Sequence, residues 1–447
     1  MKIPEKAPNW KSILRNNYET VLELTTSSEI ANLLQRANRE YLYWDRFKYL
    51  PMPEGVSNEI AWSYLKLTRL GQIRRIPAID KHNIQFGYWR PDSILRELHY
   101  IDQYAGGQIL VDDPSIASEK SRYLVNSIME EAIASSQLEG AATTRRKAKE
   151  MLRSGRRPEN HAEQMILNNY LTIRNINNVI NKPLTPKLLN DLQASMTKDT
   201  LEEPDASGRF RNENEQNQVV DNEGHVLYVP PPANEVQKRI ELLCNWANEE
   251  QDKEFIHPVI KAIILHFWLA YIHPFVDGNG RTARALFYWY MLKNKYWMFE
   301  YLSISRIIVK APAQYAKAYL YSEMDEQDIT YFIFFNLRAI HLAIEELRLY
   351  LDKQQKELRE TRKFLRDYPG LNHRQHSILY YALLHPDAVY TIEFHKNVNG
   401  IVYQTARTDL FDLEKRGLLE KEKRGKAFYF IPSSDIYKKL RYIKEKQ

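Results

Sequence analysis

Apolar residues recur along much of this chain at the spacing of helices that bury one face. Between Ser118 and Leu138 they fall at Leu124, Val125, Ile128, Met129, Ala132 and Ile133, the i, i+3/i+4 rhythm of an amphipathic helix. Ala162 to Ile176, Glu235 to Trp246, Pro258 to Tyr271 and Arg281 to Leu292 also predict helices, with Pro258 suited to a first helical position. One segment departs from the helical trend. Val219-Val220, then Asp221-Asn222-Glu223-Gly224, then His225 to Val229 predicts a short β-hairpin, which Pro230-Pro231-Pro232 closes because proline cannot extend a ladder. Near the start, Tyr41-Leu42-Tyr43-Trp44 and Phe86-Gly87-Tyr88-Trp89 read as aromatic packing anchors within a helical N-terminal region.

From Arg338 to about Arg366 the pattern is that of a charged connecting helix. It changes again beyond. Gln375 to Leu384, a short helix capped by Thr391, and Tyr403 to Lys415 are three helices; Leu418 to Phe430 then predicts two strands about the Gly425 turn. Three helices followed by a basic hairpin resembles a winged helix-turn-helix. In such a module the third helix reads the major groove and the wing touches phosphates. That helix offers Gln404, Thr405, Arg407 and Thr408, and the wing offers Lys421, Lys423, Arg424 and Lys426, with Asp409, Asp412, Glu420 and Glu422 diluting the field. Residues 366–447 hold 15 Lys and Arg against 10 Asp and Glu, so most of the net charge of +6 lies there. DNA binding and protein docking both suit this module.

Composition adds limits. The 447 residues allow two to four domains, and 44% hydrophobic with 27% charged residues is ordinary for a water-soluble globular chain. No signal peptide is visible at Met1-Lys2-Ile3-Pro4-Glu5-Lys6, and the most apolar run, Ala262 to Phe275, is too short to span a bilayer. A lone cysteine, Cys244, makes no internal disulfide. The expectation is a cytoplasmic protein with no membrane partner.

The chemistry concentrates in His273-Pro274-Phe275-Val276-Asp277-Gly278-Asn279-Gly280-Arg281-Thr282-Ala283-Arg284. Gly278 and Gly280 permit close backbone approach and positive φ, and Asn279 tolerates the same region. Such a turn points successive N–H groups into an anion nest. A helix starting near Arg281 adds its positive end. Arg281 and Arg284, three apart, present two guanidinium forks to one polyphosphate. Asp277 is a carboxylate beside the nest, and magnesium commonly bridges such a carboxylate to substrate phosphates. His273 is a proton acceptor near neutral pH.

These residues resemble the Fic family, whose pattern is His-x-Phe-x-Asp/Glu-Gly-Asn-Gly-Arg-x-x-Arg. Every fixed position is met from His273 to Arg284. His257-Pro258, His266 and Tyr271-Ile272 agree, and the resemblance runs from about Ser118 to Leu337. It implies a mainly α fold: a Fic helical-bundle core with a short β-hairpin flap, to which the C-terminal winged helix-turn-helix is added. It implies transfer of AMP from ATP to a Ser, Thr or Tyr hydroxyl, with His273 as base and Asp277 holding Mg²⁺. Gly278, Asn279, Gly280 and Arg281 then seat the phosphates, and Arg284 holds the γ-phosphate. The Val219–Val229 hairpin becomes the flap that clamps a target protein by strand addition.

Ser135-Ser136-Gln137-Leu138-Glu139-Gly140 resembles the family's inhibitory motif, with Ser135, Glu139 and Gly140 at the fixed positions. A glutamate at a helix C-terminus faces the unfavourable end of the dipole, where a cationic partner suits it. Arg284 is the partner that the resemblance implies, and the pair would occupy the γ-phosphate seat. Alternatives stay open: removal of AMP with Glu139 positioning water, transfer of another phosphate-containing group, or a DNA-binding regulator whose site senses nucleotide. The expected organisation is an N-terminal helical region (1–110), a Fic domain (111–340) with its inhibitory helix (118–140), a connecting helix (341–365) and a winged-helix module (366–447). The partners implied are a target protein, DNA at the C-terminal module and a second copy of the chain.

Overall fold

A computed structural model describes residues 3–106, 114–215, 218–220, 224–249, 254–366, 370–384, 388–424, 427–436 and 438–440. The chain is mainly helical and divides into two compact units, residues 1–346 and 347–447.

The first unit is built on two adjoining helices, Pro258–Ile272 and Asn279–Lys293. Pro258 stands in the first turn of its helix, and the His257 imidazole accepts from the Val259 N–H. Nearly every position of both helices is buried, so apolar residues ring them rather than forming a stripe. The few polar side chains they take inside are paired. Lys261 Nζ donates to the Glu249 carbonyl at 3.2 Å and lies 4.8 Å from the Trp246 ring centre. His266 Nε2 lies 2.9 Å from Tyr315 Oη. Around this pair pack Pro114–Leu138, Pro186–Thr197 and Ala233–Asn248, with His161–Asn175 laid against the first two of these. The helix read as Ser118 to Leu138 therefore starts four residues earlier, and the others agree within two residues.

The flap consists of Val219–Val220 paired antiparallel with Val226–Tyr228, in the register Val219↔Tyr228 and Val220↔Val226. The turn residues Asp221, Asn222 and Glu223 lie outside the described residues. A second hairpin, Arg74–Ile79 with Gln85–Tyr88, was not expected in the N-terminal region. Its turn is held by the Asp80 carboxylate, which accepts from the His82 and Ile84 N–H groups. Gly87 then bonds to the Gln327 carbonyl and the Ile329 N–H, and a methyl on it would lie 2.5 Å from Ile73 Cγ2.

The N-terminal aromatics are packing anchors. Tyr41, Tyr43, Trp44 and Trp62 form one buried cluster with Tyr331. Within it runs an ionic network. Lys66 Nζ lies 2.8 Å from Asp325 Oδ1, with both side chains at most 5% exposed. Asp325 also accepts from Tyr331 Oη at 2.7 Å, and Arg69 donates to Tyr331 Oη, Asn38 and the Ala37 and Leu42 carbonyls. This ties residues 37–69 to residues 325–331.

The helix expected from Arg338 begins at Thr330 and runs 37 residues to Arg366. Its first half is core rather than connector, since Phe332, Ile333, Leu337, Ile340 and Ile344 are buried. The second unit contains His373–Leu384, Ile392–Asn399 capped by Thr391, Tyr403–Lys415, and the antiparallel strands Leu419–Arg424 and Ala427–Pro432. Tyr390 adds a bridge to Phe430, and Leu379, Leu410, Leu413, Leu418 and Phe430 form the core. Gly425 and Lys426 lie outside the described residues. Asp409 does not dilute a surface field, contrary to expectation. It is buried, 2.7 Å from Arg374 Nε and 3.1 Å from His395 Nε2. Gln404, Arg407 and Thr408 are exposed, and the Arg407 guanidinium lies over the Phe411 ring. No helix among the described residues is long and apolar enough to cross a membrane.

Breaking one partner of a buried ion pair strands the other charge. Lys66→Met is expected to destabilise the first unit by roughly 3–5 kcal/mol, with Lys66→Met/Asp325→Leu recovering much of the loss. Urea unfolding checks this; a midpoint shift no larger than that of a surface substitution would contradict it.

Candidate active site

His273 ends the Pro258–Ile272 helix in the left-handed region, at φ 50° and ψ 57°. This turns the chain sharply into the loop that leads to Asn279. Three side chains fix that loop. Asn279 is buried and clamps Phe275 from both sides: its Oδ1 accepts from the Phe275 N–H at 2.9 Å and its Nδ2 donates to the Phe275 carbonyl at 2.8 Å. Gln193 Nε2 donates to the Asp277 carbonyl at 3.1 Å while its Oε1 accepts from the Gly208 N–H. Arg211 Nε donates to the His273 carbonyl at 2.9 Å, its N–H donates to the Pro274 carbonyl, and its guanidinium also reaches the Pro231 carbonyl. Gly278 takes φ +84°, and a methyl there would lie 2.8 Å from Thr197 Cγ2. The loop is thus held partly by its own Asn279 and partly by Gln193 and Arg211, 84 and 62 residues from the groups they bind.

His273 Nδ1 lies 3.3 Å from the Ala270 carbonyl. Burial disfavours its charged form and outweighs the opposing pull of that carbonyl and of Glu139 and Asp277, so the imidazole is pushed down to about 4. It stays neutral and able to accept a proton well below neutral pH.

Asp277 keeps 43% of its side chain exposed. Its Oδ1 accepts from the Gly278 N–H at 2.5 Å and its Oδ2 lies 2.9 Å from Arg281 Nη2. Arg281 itself is fully buried, and its Nη1 donates to the Met196 carbonyl. Its guanidinium therefore aims Asp277 rather than facing open space. The Asn279 side chain is likewise taken up by the loop, so what these two residues leave for an anion is their backbone N–H groups at the start of the helix.

Arg284 is bonded on one side to the end of the Pro114–Leu138 helix. Its Nε donates to Ser135 Oγ at 2.8 Å, and its Nη2 donates to the Ser135 carbonyl at 2.9 Å and to Glu139 Oε1 at 2.8 Å. Burial pushes the Glu139 carboxyl up, but the charge and hydrogen bond of Arg284, with smaller pulls from Arg281 and His273, hold it below the usual carboxylate range. Burial works against the charge of Arg284, but Glu139, with Tyr315 and Glu131, more than offsets it and holds the group above the usual guanidinium range. Gly140, at φ +89°, ends the glutamate's helix. The position of the carboxylate is read directly at Gly280: a methyl built there would lie 2.1 Å from Glu139 Oε1. Gly280 has no positive φ, so close approach, not backbone conformation, is what its missing side chain allows. The anion therefore rests on the first turn of the Asn279–Lys293 helix, where free N–H groups and the helix dipole favour negative charge.

The flap reaches the same loop. Tyr228 Oη donates to the Tyr271 carbonyl at 2.6 Å, two residues before His273. Gln193, Arg211, Tyr228 and Tyr315 were not singled out from the sequence. Each acts through a distant backbone or side chain, and neither spacing nor a local motif marks them.

Comparison with known proteins matches residues 183–291 to the Fic/DOC family model. The chain carries a Fic domain. Curated relatives include the "Protein adenylyltransferase Fic" of Nematostella vectensis, 44% identical over 59 residues, which are 13% of this chain and 14% of that protein. The protein of the same name in Drosophila mojavensis is 40% identical over 84 residues, 19% of this chain and 15% of that protein. The alignments thus span about a seventh of these relatives' length. A Fic family protein of Desulfovibrio desulfuricans G20 shares the fold at 18% identity and a TM-score of 0.51, covering 75% of this chain and 94% of that one. A variant of Fic-1 from C. elegans does so at 16% identity and a TM-score of 0.52, covering 77% and 93%. The Fic domain stops short of Glu139, so the helix that carries the glutamate packs onto the matched segment from outside it.

Since a methyl at Gly280 would overlap the Glu139 carboxylate, Gly280→Ala is expected to expel it. Hydrogen exchange at the C-terminal turn of the Pro114–Leu138 helix should accelerate. A crystal structure of this variant with the Glu139–Arg284 bond unchanged would contradict the assignment.

Proposed function

We propose that this protein is an adenylyltransferase that moves AMP from ATP to a hydroxyl of a target protein or of itself, and that Glu139 inhibits it. The observation that carries the reading is the Glu139 carboxylate seated between Arg284 and Gly280, an anion already held where a phosphate would bind. Positioning and charge neutralisation supply most of the catalysis of phosphoryl transfer, and this loop is built for both.

In the reaction, the target hydroxyl oxygen attacks the α-phosphorus of ATP. The bond from that phosphorus to the bridging oxygen of the β-phosphate breaks, pyrophosphate leaves, and His273 takes the hydroxyl proton. The N–H groups at the start of the Asn279–Lys293 helix hold phosphate oxygens, and Arg284, once released, holds the γ-phosphate. Asp277 fits a magnesium ion: Mg²⁺ is commonly held by one carboxylate together with substrate phosphates, and this carboxylate is half exposed and aimed by Arg281. Bound there, the ion would neutralise phosphate charge.

Glu139 must leave before the γ-phosphate can reach Arg284. A charge-assisted pair of this kind is worth about 1.5–3 kcal/mol, enough to hold most molecules in the inhibited state. The flap supports a protein target. Val220 and Val226 are exposed on the ribbon and Val229 just beyond it, and among the described residues no third strand pairs with it, which suits addition of an extended segment through main-chain hydrogen bonds.

With labelled ATP and Mg²⁺, Glu139→Gly and Glu139→Gln are expected to raise incorporation of AMP into protein, and His273→Ala in either background to lower it by ~10²–10⁴-fold. Incorporation at the wild-type level in both Glu139 variants, with the proteins folded, would show that Glu139 is not the brake.

The histidine sets the pH dependence. Burial lowers its pKa, so the neutral base persists as pH falls; loss of the Glu139 charge removes one of the effects that raise it. The acid limb of the rate of Glu139→Gly should therefore fall near pH 4 or below, not at the ordinary ~6.5. A midpoint at ~6.5 would contradict the desolvated base.

A further inference from the structure

The first unit contains a second large concavity, a cleft of about 1360 Å³. It is bounded by the end of the Ser28–Arg39 helix, the segment Glu40–Arg46, the start of the Asp92–Ala105 helix, and faces of the Pro312–Met324 and Thr330–Arg366 helices. None of the residues that line it belongs to the loop His273–Arg284 or to the flap.

Its charge is lopsided. Arg36, Arg39, Arg46, Arg90, Arg96 and Arg338 line it, and no carboxylate among the described residues lies within ion-pair distance of any of them. Lys317 adds a seventh cation, 3.7 Å from Asp45. The acidic lining is Glu40, Asp92 and Glu97, of which Glu97 bonds to His341. Arg36 and Arg39 sit in the last turn of their helix, where the dipole welcomes a cation. Arg90 and Arg96 do not share that explanation. They stand just before and soon after the N-terminus of Asp92–Ala105, the end at which positive charge is disfavoured. The floor is aromatic and incompletely covered: Trp89, Tyr321, Phe334 and Phe335 are half-buried.

Unpaired cations of one sign around a low-dielectric cleft focus their field on an anionic partner. The choice of cation narrows its class. The guanidinium fork matches a carboxylate with two parallel hydrogen bonds and stacks on aromatic faces. Arginine with Trp, Tyr and Phe, and little lysine, is the composition of protein-binding surfaces rather than of ordinary protein surface. We propose that this cleft binds an acidic, aromatic-bearing segment of a partner polypeptide, its carboxylates on the arginine rim and its apolar side chains on the floor. This binding is independent of nucleotide transfer.

Fluorescence anisotropy of the full chain tests it, with a labelled short peptide of alternating Glu and Tyr, a Lys/Tyr peptide of equal length, and labelled oligothymidine. The Glu/Tyr peptide should bind and the Lys/Tyr peptide should not. Arg39→Glu/Arg96→Glu should weaken that binding by about tenfold or more, whereas Arg39→Lys/Arg96→Lys, which keeps the charge, should lose less. If charge reversal lowers the melting temperature, Arg46→Ala/Arg338→Ala provides the same comparison with a smaller change. Absence of Glu/Tyr binding at low ionic strength would overturn the proposal, as would binding that these substitutions leave unchanged. Tighter binding of oligothymidine, lost in the same variants, would overturn it in favour of a nucleic acid.

Discussion

The Arg284 guanidinium is the point on which the site turns. It is buried, it cannot lose its charge, and it must therefore always have an anion or several acceptors beside it. Ser135 supplies two acceptors through its hydroxyl and carbonyl, and Glu139 supplies the charge. Ser135 and Glu139 lie one helical turn apart, so one end of one helix provides the whole set. On the function proposed here, an incoming phosphate replaces the glutamate without leaving the arginine unpaired, while Ser135 keeps it aimed. The proposed inhibition then needs no large movement, only an exchange of one oxyanion for another at a helix N-terminus.

That exchange requires a rigid loop. Asn279 fastens Phe275, Gln193 fastens Asp277, and Arg211 fastens His273 and Pro274, so the backbone N–H groups and the proposed base are fixed by the fold itself. Burial does two things here. It keeps His273 neutral and it strengthens the charge pairing around Arg284. The two near-completely buried helices that flank the loop supply the stiffness. The flap, tied to the Tyr271 carbonyl through Tyr228, brings its exposed edge to the same loop.

The sequence made the loop legible because its residues are contiguous and chemically unusual together. Helix positions were legible from periodicity, and Glu139 from its short motif before Gly140. Roles within the loop were less so. Where the side chains of Asn279 and Arg281 go was not legible along the chain: folding turns one onto Phe275 and the other onto Asp277 and Met196. The supporting residues Gln193 and Arg211 were invisible because they act across 62 to 84 residues of sequence. The Arg74–Tyr88 hairpin was missed because Pro77 and Gly87 interrupt a strand pattern, and its stability comes from Gly87 pairing with residues near 328. Asp409 looked like surface charge because its partners Arg374 and His395 lie on other helices.

The central claim is that Arg284 holds either Glu139 or the terminal phosphate of ATP, but not both. Crystal structures of the wild-type protein and of Glu139→Gly, each with ATP and Mg²⁺, read this directly. The account predicts that Arg284 stays bonded to Glu139 in the wild-type complex, with the γ-phosphate turned away, and bonds the γ-phosphate in the variant. A γ-phosphate on Arg284 in the wild-type complex, with Glu139 still in place beside Gly280, would contradict it.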